Sequence, residues 1–139
     1  MYGARDPPGV TRTILMLVGC SGALAVLLGA FGAHGLKSRL AGLADGVERL
    51  SWWATATQYH LIHTLALALV AWMTVYCPGR ATQSAFWLFT GGTLIFSGTL
   101  YLMTLTGTRW LGAITPIGGT MLVAGWIAVA IAAARESGT

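Results

Sequence analysis

The positions of the basic residues constrain the fold more than any other feature of the sequence. They leave four intervals without a formal charge, of 24, 30, 28 and 25 residues, bounded by Arg12, Lys37, Arg49, Arg80, Arg109 and Arg135. Each interval exceeds the roughly 20 residues with which an α-helix crosses about 30 Å of hydrocarbon. Backbone amides in lipid must be hydrogen-bonded internally, and the apolar runs lack the alternation of barrel strands. The sequence therefore predicts four transmembrane helices.

Composition supports a lipid environment. Charged residues make up 9% of the chain and hydrophobic residues 55%, whereas about 25% of a soluble domain is charged. So few charges cannot cover a water-exposed surface. The net charge of +4 does not indicate nucleic acid, because the basic residues stand singly at helix ends rather than in a cluster or stripe. We therefore predict the lipid bilayer as the main partner and no nucleic-acid partner.

The predicted fold class is all-α, a four-helix transmembrane bundle in up-down-up-down order. We expect a single domain over residues 12–135, flanked by a disordered tail at 1–11 and a second tail at 136–139. The predicted helices cover about 13–34, 51–76, 83–106 and 113–134. A cleaved signal peptide is an alternative for the first helix, but its apolar run is longer than the 7–15 residues of such a segment.

The segment between helices 1 and 2 has its own pattern. Over residues 37–50, four aliphatic side chains fall on one helical face, namely Leu40, Leu43, Val47 and Leu50. This spacing predicts a short interfacial amphipathic helix between helices 1 and 2.

Charge does not decide the orientation. We call side A the side that holds both termini and the 2–3 loop, and side B the side that holds the 1–2 and 3–4 loops. Each side carries four basic residues, so the positive-inside rule is uninformative. We expect a multi-pass protein of the bacterial inner (plasma) membrane with both termini in the cytoplasm.

Polar side chains gather in the side-B half of the predicted bundle. A polar group that faces lipid costs more than one that finds a partner, so we predict an interior hydrogen-bonded cluster. Its candidate members are His34, Gln58, His60, His63, Ser97, Tyr101 and Thr115.

This cluster has two interpretations. It either joins helices by hydrogen bonds or forms a site for a small molecule, a proton or an ion. The predicted spans contain no Asp or Glu, which weakens both a metal site and a proton pump. We predict no cofactor and no metal, with haem or a metal ion at His34 or His63 as an alternative.

Small residues indicate close helix packing. Gly29 and Gly32 stand three apart in helix 1, a spacing that lets membrane helices approach closely. Pro116 suits the first position of helix 4, with Thr115 as its cap. The predicted packing residues are Gly29, Gly32, Gly98, Pro116, Gly118 and Gly119.

Four ordered motifs resemble those of one family. Residues 29–36 resemble its GAFGAH signature, residues 58–66 its helix-2 motif, residues 96–101 its FSGSLY motif, and residues 109–119 its final motif. The chain thus resembles the YgdD-like small membrane proteins, the domain-of-unknown-function family numbered 423, relatives of transmembrane protein 256. The resemblance implies four helices without an established activity. Gln58 replaces the family's usual Glu and His60 its usual Gln, so a role for a helix-2 carboxylate does not carry over.

The expected function is correspondingly modest. Ser97 and His63 lack a carboxylate partner, and the sequence has no Gly-x-Ser-x-Gly turn. We expect a non-enzymatic accessory or structural subunit that packs against a larger membrane complex or a second copy. The alternative is a small-ligand, proton or ion-handling protein that uses the polar cluster.

Overall fold

The computed structural model describes residues 9–136, which contain helices and connections but no strand. Its elements in chain order are α1 (Gly9–Phe31), a π-helical turn (Gly32–Leu36), α2 (Lys37–Leu40), α3 (Gly46–Tyr76), α4 (Arg80–Thr106), a 3₁₀ turn (Arg109–Ala113) and α5 (Thr115–Glu136). Four stretches are long and apolar enough to cross a membrane: Thr11–Leu40, Gly46–Tyr76, Arg80–Thr106 and Arg109–Arg135. The prediction of an all-α protein with four spans is confirmed.

The first helix begins earlier than predicted. Residues 9–11 belong to α1 rather than to a disordered tail. Thr13 donates a hydrogen bond to the Gly9 carbonyl, and the Thr11 and Thr74 hydroxyls lie 2.8 Å apart, so the first turn of α1 is fastened to α3. The rest of the predicted tails, residues 1–8 and 137–139, lies outside the described residues.

The segment 37–50 is not one interfacial helix, which corrects the prediction. Its first part, α2, continues the first span through the π-helical turn, and its last part, 46–50, is the start of α3. Only residues 41–45 connect the two. A Cβ on Gly46 would meet the Leu40 carbonyl, so the glycine allows a reversal too tight for a continuous helix. Leu40 is buried while Val47 is 85% exposed, so the predicted apolar face is not shared.

The spans pack in chain order as antiparallel neighbours. α1 contacts α3, α3 contacts α4, and α4 contacts α5. The main core lies among α3, α4 and α5 and contains Ala66, Leu67, Val70, Ala85, Phe89, Leu122 and Ala128. In the most apolar stretch of the first span 11% of residues are buried, compared with 44% in α3. The first span is therefore peripheral, and a groove borders it at each end.

Glycines set the closest helix contact. A Cβ on Gly118 would meet the backbone of Phe96 and the Gly92 carbonyl, so α4 and α5 touch there. Gly119 makes ordinary contact with the Phe96 ring. A Cβ on Gly98 would meet no atom of the described residues within 4 Å, so within this part of the chain it does not pack against another helix as predicted.

Candidate functional site

A hydrogen-bonded network centred on His60 joins three helices in the middle of the molecule. His60 Nε2 lies 3.0 Å from the Ser21 hydroxyl of α1, and His60 Nδ1 lies 3.4 Å from the Tyr101 hydroxyl of α4. Ser21 is also 2.7 Å from the Thr64 hydroxyl, which donates to the His60 carbonyl at 2.9 Å. We call these four residues the His60 network.

One set of proton positions satisfies the contacts on the Ser21 side. Thr64 has a single hydroxyl proton, which goes to the His60 carbonyl, so its oxygen accepts from Ser21. The Ser21 oxygen then accepts from His60 Nε2–H. This assignment makes His60 a neutral ring with an unprotonated Nδ1, so the one Tyr101 hydroxyl proton is shared between His60 Nδ1 and the Thr57 oxygen, each 3.4 Å from the Tyr101 oxygen.

His63 is held by two partners of opposite kind. Its Nδ1 lies 2.8 Å from the Tyr59 carbonyl, which only accepts, and its Nε2 lies 3.3 Å from the Trp126 indole nitrogen, which only donates. The ring is therefore the neutral Nδ1–H tautomer with both nitrogens engaged. Iron or another metal at His63 would have to displace Trp126. Within residues 9–136, no three His, Cys, Asp or Glu side chains gather as a metal-binding group.

The other predicted interior residues divide between two interfaces. Tyr101 lies 3.4 Å from Thr57 as well as from His60. Ser97 is 2% exposed and its hydroxyl has no partner among the described residues. Thr115 pairs with Thr99 at 2.8 Å across α4 and α5, outside the His60 network. Its hydroxyl also donates to the Leu111 carbonyl at 3.4 Å rather than capping α5.

The structure places His34 and Gln58 outside the interior, which corrects their predicted membership of the cluster. His34 is exposed on the π-helical turn, opposite the buried Gly32 and Leu36. Gln58 is exposed because it lies two residues, or about 200° of helix rotation, from the buried His60. Their depth in the membrane suited the cluster, but their direction around the helix did not.

Gln58 instead lines a cavity that we call the side-B groove. This open cavity of about 450 Å³ lies between the end of the first span and α3, and is lined by Gly29, Gly32, Ala33, Lys37, Leu50, Trp53, Ala54, Thr57, Gln58 and Leu61. A Cβ on Gly32 would meet the Trp53 ring, and one on Gly29 would approach the Thr57 methyl group to 3.3 Å. Trp53 also donates to the Leu28 carbonyl at 2.8 Å, so the two glycines let α1 and α3 meet at the groove.

Polar contacts hold the side-B loops together. Arg49 pairs with Asp45 at 2.9 Å, and Arg109 pairs with Glu48 at 2.6 Å. The hydrogen bond from Arg49 lowers the pKa of the Asp45 carboxyl below its ordinary value. The Thr104 hydroxyl donates to the Arg49 carbonyl at 3.1 Å, so α3 and α4 are tied at this end.

Four contributors were missing from the predicted cluster: Ser21, Thr57, Thr64 and Trp126. Ser21 lies on α1, the helix that packs against α3. The signal available in the sequence was its depth, because antiparallel pairing of α1 and α3 places Ser21 opposite His60. Trp126 reaches His63 across α5 and α3, which are not neighbours in sequence, so no local pattern indicates that contact.

Comparisons with known proteins agree on one family. Residues 28–119 match the family model described as "Protein of unknown function (DUF423)". The chain is 38% identical over 125 residues to the UPF0382 membrane protein YwdK of Bacillus subtilis, covering 89% of this chain and 98% of that protein. It is 34% identical over 128 residues to the UPF0382 inner membrane protein YgdD of Escherichia coli, covering 90% and 92%. No solved structure matches.

Proposed function

The chain belongs to the DUF423 family of membrane proteins, and from this premise we propose that it is a non-enzymatic accessory subunit. In this proposal it associates with another membrane protein, or with a second copy, through the side-B groove and the exposed face of the first span. We further propose the inner membrane as its location, extending to this chain what the name of the Escherichia coli relative says of that protein.

One observation carries the proposal: Gln58 is exposed inside the span. The 31 residues of α3 are about 46 Å long, so a centred hydrocarbon layer of about 30 Å leaves Gln58 roughly 10 Å below the side-B boundary. Its amide has no hydrogen-bond partner within residues 9–136. An amide in hydrocarbon without a partner costs about 1–3 kcal/mol. A second protein that supplies a partner removes this cost.

The surroundings of Gln58 suit a transmembrane partner. Small residues such as Gly29, Ala33 and Ala54 line the side-B groove, and small residues let helix backbones approach closely in lipid. The first span is peripheral and leaves most of its surface free of the other three spans. An exposed apolar face on the first span is what contact with lipid requires, so that face alone does not indicate a protein partner. The exposed Gln58 amide, which lies well inside the hydrocarbon layer, does indicate one.

The test is native mass spectrometry of the protein purified in mild detergent. We expect a dimer or a stoichiometric partner in the wild type, and a three- to tenfold weaker association in Gln58→Leu, because one interhelical hydrogen bond in lipid is worth about 0.6–1.4 kcal/mol. Gln83→Leu is the matched control, since Gln83 is also exposed but lies on α4 at side A. A monomer in the wild type, or equal effects of the two variants, contradicts the proposal.

A second pair of variants tests the groove itself. Ala54→Trp fills the side-B groove from an exposed position, whereas Ala130→Trp adds the same ring to an exposed position of α5. We expect only Ala54→Trp to reduce association. Thermal unfolding of both variants in detergent checks that they fold, and unchanged association in a folded Ala54→Trp contradicts docking at this groove.

The alternative function, handling of a small polar ligand, is favoured by a different observation. Three α4 hydroxyls, those of Thr90, Thr93 and Ser97, are buried without a hydrogen-bond partner in the described part of the chain. Buried polar groups normally have partners, and a ligand or an ordered water supplies one. A bound small molecule that co-purifies with the wild type and is lost in Ser97→Ala supports this function. Recovery of the same molecule in both excludes it.

A further inference from the structure

A larger cavity lies at the opposite end of the molecule, on side A. It separates the first turns of α1 and α4, and we call it the side-A groove. Its volume is about 880 Å³, within the range of about 300–1,000 Å³ typical of small-molecule sites. Ile14 and Leu17 of α1 face Phe86 and Trp87 of α4 across it, and Thr74 of α3 also lines it.

The outer edge of the side-A groove, which we call its lip, is cationic. Arg80 lines the groove and is the first residue of α4. The first turn of α4 contains no acidic residue, and Gly79 offers no side-chain cap, so the positive end of the helix dipole adds to the arginine charge. Among residues 11–135 both ion pairs lie on side B, whereas Arg12, Arg80 and Arg135 on side A have no carboxylate partner within that range.

The depths of the charged and apolar parts match a lipid. The 27 residues of α4 are about 40 Å long, which exceeds a hydrocarbon layer of about 30 Å, so Arg80 reaches the headgroup level. Trp87 lies seven residues further along, about 10 Å deeper, where acyl chains run. The groove is therefore apolar toward the membrane centre and cationic toward the membrane surface. A lipid in one leaflet has its acyl chains and its headgroup in the same order.

We propose that the side-A groove binds an anionic phospholipid of the phosphatidylglycerol type. One acyl chain lies between Leu17 and Trp87, and the phosphate meets Arg80. A net negative headgroup complements a lip without carboxylates among the described residues, whereas a zwitterionic headgroup brings a cation to the same place. This site is separate from the side-B groove, so its test does not depend on the proposed subunit role.

Native mass spectrometry of the delipidated full-length protein tests the proposal, with phosphatidylglycerol and phosphatidylcholine of identical acyl chains added in turn. We expect preferential phosphatidylglycerol adducts in the wild type and about fivefold weaker binding in Arg80→Gln, the effect of removing one arginine near an anionic lipid. Arg135→Gln is the matched control, because Arg135 lies on side A but does not line the groove. It should retain wild-type binding.

Thr13→Trp tests the cavity rather than the charge, since Thr13 is exposed and lines the groove. We expect it to reduce adducts of both lipids, whereas Ala130→Trp should not. Equal binding of the two lipids by the wild type, or equal effects of Arg80→Gln and Arg135→Gln, overturns the proposal. Competition by inorganic phosphate as strong as by the lipid also overturns it, because the site then recognises free phosphate.

Discussion

His60 gives each of its ring nitrogens a different helix as partner. Nε2 lies 3.0 Å from the Ser21 hydroxyl of α1, and Nδ1 lies 3.4 Å from the Tyr101 hydroxyl of α4. A single neutral side chain of α3 therefore orients both neighbouring spans. Its proton positions follow from the acceptor-only carbonyl that Thr64 bonds, so this role needs no charge on the ring.

This arrangement predicts different effects for the exposed and the buried histidines. His60→Leu removes two interhelical hydrogen bonds and should lower the free energy of unfolding in detergent by about 1 kcal/mol, at roughly 0.6 kcal/mol per bond. His60→Gln keeps a donor and an acceptor and should lose less. His34→Leu is the control, because His34 is exposed without a side-chain partner in the described residues, and its stability should match the wild type. Equal losses in the two leucine variants would contradict this account.

Asp45 provides a pH-dependent contact at the side-B turn. Its pKa is lowered from 3.8 in the folded protein, chiefly by the hydrogen bond from Arg49. A lowered folded pKa contributes stability above pH 3.8 that is lost as the pH falls through the lower value. We expect wild type to be slightly more stable than Asp45→Asn at neutral pH, with the difference vanishing in acid. Thermal unfolding against pH measures it, and a difference that grows towards low pH contradicts it.

Glycines of α5 let this helix approach α4 closely. Gly118 meets the α4 backbone at Phe96, and Gly125 faces the Phe89 ring, where an added Cβ would lie 2.6 Å from the ring edge. The contact between α4 and α5 is thus fixed along about two turns.

Two of the five glycines predicted to pack should respond differently to alanine. Gly118→Ala forces the α4 and α5 backbones apart and should destabilise the protein by about 1–3 kcal/mol, the usual cost of overpacking. Gly98→Ala adds a methyl group in open space and should leave stability equal or slightly higher. Chemical denaturation in mixed micelles measures both. A stable Gly118→Ala variant would show that this interface can expand.

The elements were predictable from the sequence to different degrees. The four spans follow from the spacing of charges, because lipid leaves the backbone few options. The structure of the 37–50 segment was not predictable, because its amphipathic pattern fits one continuous helix. The chain instead makes a tight reversal, which Gly46 permits. Side-chain depth was also readable, and it brings His60 near Tyr101. The surroundings of each side of a helix were not readable, because the peripheral position of the first span decides what Gln58 faces.

At the scale of the whole molecule, the first span is attached by polar contacts at three levels. Thr11 meets Thr74 near side A, Ser21 meets the His60 network in the middle, and the Leu28 carbonyl accepts from Trp53 near side B. The row of spans therefore has a core of three helices and one peripheral helix. Both grooves exist because the peripheral first span covers α3 only in part.

Orientation is testable because each side carries a suitable position. The side-A arginines without a carboxylate partner in the described residues favour the leaflet with the negative surface potential, so we expect side A in the cytoplasm. In a Cys20→Ser background, a membrane-impermeant maleimide should label Gly42→Cys on side B in intact cells. It should label Cys77 on side A only after permeabilisation. The reverse pattern would place both termini outside.

The π-helical turn Gly32–Leu36 determines which way the end of the first span faces. Such a turn accommodates one residue more than an α-helix would, and one residue corresponds to about 100° of rotation. Leu36 at the end of the turn and Leu40 beyond it are buried against Trp53. Deleting one residue here would therefore act as a twist rather than a shortening, swinging both leucines into lipid and carrying Lys37 away from the mouth of the cavity it borders.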